Sequence, residues 1–236
     1  QLQIQIYDAW GNEVEDVNTV PTDITATDVI EKYITAIGGR DKVAAINTVS
    51  MVGKMEMQGQ VIETSLVKKA PNKMMNEMKM QGMVVQKQVF DGEKGFTSGM
   101  QGEKELEGDE LKALKIESTL NTELQYEKLG YKLELVATEK VDEKDAYKLK
   151  ITDPMGEVYY SFFDVESGLK VMLKRTTTTP QGSIDQVQKF TDYKAVNGVK
   201  FPYAMTMSNN MMPEPMKMQM TKIEVNTNVD DAIFAK

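Results

Sequence analysis

The sequence predicts a mainly β (α+β) protein built on one large antiparallel sheet, and three observations carry that prediction. Apolar residues recur at period two through most of the chain, as in MVGKMEMQG at residues 51–59. Turn signals rich in Gly, Asn, Asp and Pro separate these runs at short intervals. Helical spacing is confined to a few segments, so the βαβ alternation of a doubly wound sheet is missing.

The first segment alternates at Leu2, Ile4 and Ile6, then loses all periodicity before Pro21. That pattern predicts a strand and a linker over residues 1–24, with a single domain over 25–236. In TATDVIEKYITAIGG, Thr25 and Asp28 have capping-box spacing, Val29, Ile30, Tyr33, Ile34 and Ile37 form a helical stripe, and Gly38-Gly39 supplies the stop. DKVAAI predicts a further helical turn. Between Asn47 and Phe96 the spacing predicts an antiparallel meander. Residues 108–130 read as one or two helices, with Leu111, Leu114 and Leu120 toward one side. After Gly130 strands follow in series to residue 225, separated by turns such as DPMG, VESG and VNG.

About eleven strands result. Short connections predict that their order in sequence is their order in the sheet. A curved sheet of this size is expected to bury its concave face against the helices and to show Lys, Glu and Gln on its convex face.

Composition excludes several functions. The net charge is -8, and Arg40 and Arg175 are the only arginines, so the basic surface that nucleic-acid recognition uses is missing. With no cysteine and no histidine, thiolate nucleophiles, Ser-His-Asp triads and HExxH zinc sites are ruled out. Ser65-Leu-Val-Lys68 matches the S-x-x-K nucleophile motif, but in a strand positions three apart face opposite sides. Paired carboxylates remain open in principle, yet the acidic residues sit mostly in turns and no pair stands out. The chain alone is therefore expected to be a binding domain and not an enzyme, with no cofactor and no metal. No apolar run approaches the ~18 residues of a membrane helix, and a start at Gln1 is expected of a fragment or a mature form.

Chemical interest falls on the 18 methionines. Period two places Met55 and Met57 on one side of a strand, with Met78, Met80, Met205, Met207 and Met218 in similar settings. Three readings compete: Met as filler in a sheet-on-helix core, Met as the adaptable lining of a hollow that binds acyl chains or apolar peptide, and thioethers of residues 209–216 gathered around Cu(I).

The helix ending in Gly-Gly, the strand NTVSMVGKMEMQG, the hairpin VFDGEKGF, the strand pair YSFFDVESGLKVMLKR and the segment FTDYKAVNGVKFPYAMTM together resemble the LolA-like superfamily of periplasmic lipoprotein carriers and lipid binders. The resemblance covers residues 25–236. It implies a half-open antiparallel β-barrel of about eleven strands with helices plugging the concave face, a lipid or lipoprotein acyl chain as ligand, and a place in the periplasm or at the outer membrane of a Gram-negative bacterium. Within that superfamily the chain looks most like the C-terminal domain of some pitrilysin/insulinase-type zinc proteases. There a segment like IQIYDAWGNEVE leads out of the protease region, which implies an upstream protease-like region of the same polypeptide as a partner. Neither Arg40 nor Arg175 lies in a motif matching the arginine that lipoprotein carriers use, so no functional residue carries over.

Overall fold

The computed structural model describes residues 20–57, 59–100, 102–179, 182–212 and 214–236; the side chains of Met57, Thr178 and Thr179 fall outside the description. The predicted strand at Leu2–Ile6 lies outside it as well.

The first helix, α1 (Ala26–Ile37), begins where local chemistry says it should. Thr25 and Asp28 close a full capping box, with Thr25 N donating to Asp28 Oδ2 at 2.8 Å and Asp28 N donating to Thr25 Oγ1 at 3.2 Å. It ends at Gly38, whose φ of 139° suits glycine alone. A short α2 (Arg40–Ala44) follows.

All thirteen described strands belong to one sheet. Six form a meander: β1 (Thr48–Met57), β2 (Gln60–Lys69), β3 (Lys73–Met80), β4 (Met83–Phe90), β5 (Gly95–Gly99) and β6 (Gly102–Leu106). Helix α3 (Gly108–Ser118) and the segment up to Tyr131 then cross to the far edge. From there run β7 (Lys132–Val141), β8 (Lys144–Thr152), β9 (Val158–Asp164), β10 (Lys170–Thr179), β11 (Gly182–Val196), β12 (Val199–Asn209) and β13 (Met216–Val225). The sheet order is β6-β5-β4-β3-β2-β1-β13-β12-β11-β10-β9-β8-β7. Sequence order thus holds within each meander, and the antiparallel pairing of β1 with β13 joins the two. Edge strands β6 and β7 do not pair, so the barrel stays half open, as expected, with thirteen strands instead of about eleven.

Helices fill the concave side at one end. Val29, Ile30 and Ile34 of α1 pack on Leu149, Ile151 and Phe163, and Ile37 and Val43 pack with Val49, Val199 and Val225. Leu114 of α3 packs on Met74 and Phe90. The convex face is less polar than expected. Phe162 and Met172 are buried there with Val141 and Ala146, and the Lys148 and Lys174 ammonium groups lie 5.7 and 5.5 Å from the Phe162 ring centroid. Phe234, in a C-terminal 3-10 turn tied down by Lys69 and Lys73 through Asp231, is also buried.

A candidate ligand-binding hollow

An antiparallel sheet places alternate hairpin tips at opposite ends. At one end α1 closes over the tips: Gly38 meets Gly198 of the β11–β12 turn, and the Lys32 ammonium donates to the Val165 carbonyl of the β9–β10 turn. From there a hollow of about 920 Å³ runs along the concave face to the opposite end. That size lies within the range of about 300–1,000 Å³ usual for ligand sites.

Its apolar walls come from both meanders and the crossing segment: Met51 and Leu66 on one side, Leu173 and Phe201 on the other, Ile116 and Leu120 between. The strand residues owe their position to pairing. Met51 lies opposite Leu66, so both face the same way, and Lys68, two residues on, joins them.

Charge enters the floor as a pair. Lys170 Nζ lies 2.9 Å from Glu123 Oε1, with the two side chains only 15% and 28% exposed. The ammonium also lies 5.5 Å from the Tyr33 ring centroid. Burial pulls Lys170 down, but Glu123 outweighs it and the ammonium ends above the ordinary lysine value. Burial likewise pushes Glu123 up, yet Lys170 and then Lys68 hold it below the usual carboxylate range. Both groups stay charged and satisfied by each other.

Lys68 is different. Burial lowers its ammonium below the ordinary value against the pull of Glu117 and Glu123, and its Nζ donates to the Glu117 carbonyl at 2.5 Å. Arg175 stacks over the Tyr159 ring at 5.3 Å and makes no ion pair among the described residues. Burial pushes Tyr131 and Tyr159 up to about 12, keeping both as neutral phenols. Ser161, beneath this wall, has a buried Oγ with no hydrogen-bond partner. Such a site can hold an apolar body with polar groups at its margin; no cluster of three or more acidic groups able to hold a metal is found among the described residues.

The predicted methionines form a row. Met205 pairs with Met218, Met218 with Met55, Met55 with Ile62, and Ile62 with Met80. Met55 shares the face of Val49 and Met51, so the row lies on the concave side, toward the open end. Met55 is buried, and Met78, Met80, Met205, Met207 and Met218 are partly buried. Met57 ends β1, and its side chain is outside the description. Met207 lines a smaller cleft of about 190 Å³ with Met212 and Met216, and that cleft shares Leu173 and Gln188 with the large hollow. The methionines that line the hollow itself are Met51 and Met155, which period-two reasoning did not single out. Met51 carried the signal, since it opens the quoted alternation; Met155 sits in the DPMG turn, where no pattern marks it.

No protein-family model matches the chain, and no curated protein matches it. Solved structures do. A LolA superfamily protein from Nitrosomonas europaea superposes with a TM-score of 0.59 at 12% identity, covering 90% of this chain and 98% of that one. A DUF1329 family protein from Desulfovibrio piger gives 0.58 at 12% identity, over 89% and 96%. A domain assigned to outer membrane lipoprotein sorting in Vibrio parahaemolyticus gives 0.56 at 10% identity, over 89% and 95%. The fold is LolA-like.

Proposed function

We propose that this domain binds a hydrophobic ligand, a lipid or a lipoprotein acyl chain, in the hollow, and that it serves as a non-enzymatic carrier or sensor in the cell envelope. One observation carries the reading: a space of about 920 Å³ has apolar walls that include Met51, Leu66, Leu173 and Phe201, and the Lys170–Glu123 pair at its floor is satisfied internally, so an apolar guest does not have to pair with either group. The methionine row, with Met78 beside it, extends this apolar path toward the open end, where unbranched thioethers adapt to differing chains. A further part of the proposal is that the domain follows a zinc-protease-like region of the same polypeptide, as an accessory domain with a structural or substrate-presenting role; the resemblance of IQIYDAWGNEVE and of the helix DVIEKYITAIGGRDKV supports it, and the coding sequence upstream of Gln1 tests it.

The direct test is native mass spectrometry of the purified domain before and after organic extraction. An acyl-bearing species at one per chain, lost on extraction and weakened by Met51→Asp, is expected. A ligand-free mass that also refuses added lipid overturns the reading.

A further inference from the structure

The sheet's two ends differ in chemistry. At the end away from α1, the described connecting residues are Gly59, Gln81-Gly82, Met100, Asp153–Glu157, Asn210–Met212 and Glu214-Pro215, without one lysine or arginine. Among the described residues, every exposed large apolar side chain except Val20 and Val52 belongs to this end. Met100 is 87% exposed, Met211 70% and Met83 65%, each at a different hairpin tip; Val61 and Val84 flank two of the turns, and Met155 with Val158 sits in the β8–β9 turn. The hollow opens at the same end, since Met155 and Tyr131 line it.

We propose that this rim docks on a lipid bilayer by inserting its methionine tips, with the mouth of the hollow held against the membrane surface. Exposed apolar groups gathered at one end mark an interaction site. Their distribution selects the occupant. Hairpin tips two strands apart stand about 10 Å from one another, and Gln, Asn and Gly separate the apolar side chains. A protein partner needs a contiguous, closely packed patch, whereas lipid closes around each isolated tip. The only charges in the turns are Asp153, Glu157 and Glu214, so anionic headgroups add no attraction and the contact is apolar. The proposal goes beyond the ligand reading and does not depend on what the hollow contains.

The test is flotation with phosphatidylcholine vesicles, repeated with added phosphatidylglycerol and at high salt. Wild-type protein should float on phosphatidylcholine, gain nothing from added phosphatidylglycerol and lose nothing at high salt, and the combined variant Met83→Gln, Met100→Gln, Met211→Gln should bind at least tenfold less. Val52→Gln, on an exposed residue away from the rim, should bind as wild type. Uptake of a monomeric fatty acid from solution should survive in the rim variant, which separates docking from ligand binding. Peroxide footprinting gives a second readout: vesicles should slow sulfoxide formation at Met83, Met100 and Met211. Wild-type protein that stays unbound, a rim variant that floats unchanged, or a concentration-dependent dimer abolished by the same variant would each overturn it, the last in favour of a second copy of the chain.

Discussion

Lys170 and Glu123 meet across 2.9 Å at the floor of the hollow, one from the start of β10 and the other from the segment that crosses the concave face. The pair fixes the crossing segment to the sheet and leaves these two buried charges satisfied by each other.

Breaking it from one side leaves a carboxylate with little water. Lys170→Met is expected to cost about 3 kcal/mol, and adding Glu123→Gln to recover most of that loss. Urea unfolding of the two single variants and the double variant measures the coupling; strictly additive losses would show that the pair does not act as a unit.

Alkaline pH attacks the same region. Tyr131 and Tyr159 are pushed up to about 12 in the folded state, so their neutral forms contribute stability that is complete below pH 10 and is lost as pH rises through about 12. Glu123 works in the opposite direction: held low in the folded state, it contributes above the ordinary carboxylate range and loses that contribution as pH falls through its depressed value. Phenolate absorbance followed with circular dichroism should show late tyrosine ionisation coinciding with unfolding. Ionisation of every tyrosine near pH 10 with the fold intact would refute this.

Gly38 and Gly39 separate two costs. A Cβ on Gly38 would lie 2.3 Å from the Gly198 carbonyl oxygen at φ +139°, whereas Gly39, at φ +92°, has nothing within 4 Å. Gly38→Ala should cost about 3 kcal/mol and Gly39→Ala about 1 kcal/mol. Equal melting temperatures for the two variants would mean that the β11–β12 turn yields freely.

Ser161→Ala should be neutral or stabilising by up to about 1 kcal/mol, because the buried Oγ has no partner to lose. A clear loss of stability on thermal unfolding would reveal a partner for the hydroxyl.

Ligand affinity should rise with tail length. Each buried methylene contributes about 0.8 kcal/mol, roughly fourfold in Kd, until the hollow is full. Calorimetry with a series of fatty acids reads this slope, and a flat response would place the tail outside.

What was legible in the sequence was local or periodic. The capping box of Thr25 and Asp28 is complete within four residues, and alternation exposed most strands. Strand β6 escaped because GEKEL exposes everything except Leu106 and so shows no apolar alternation. Period two assigned the methionines a common face, but which part of that face stays open is decided by where α1, α2 and the crossing segment come to rest. The Lys170–Glu123 contact spans 47 positions, and no spacing announces it. Partner choice at β1 is equally remote, since Val49 finds Val225.

That last pairing makes the domain a two-piece object. Residues 48–106 supply one wall and residues 132–225 the other, and among the described residues the sole ladder between them is β1 against β13. Met51 and Leu66 belong to the first piece, Leu173 and Phe201 to the second. Half of this molecule is therefore a wall without a container: a chain cut within residues 119–121 regains its capacity for a guest only when its halves reassemble along that ladder and α1 packs again on Leu149, Ile151 and Phe163, and occupancy of the hollow reports on long-range folding as much as on ligand chemistry.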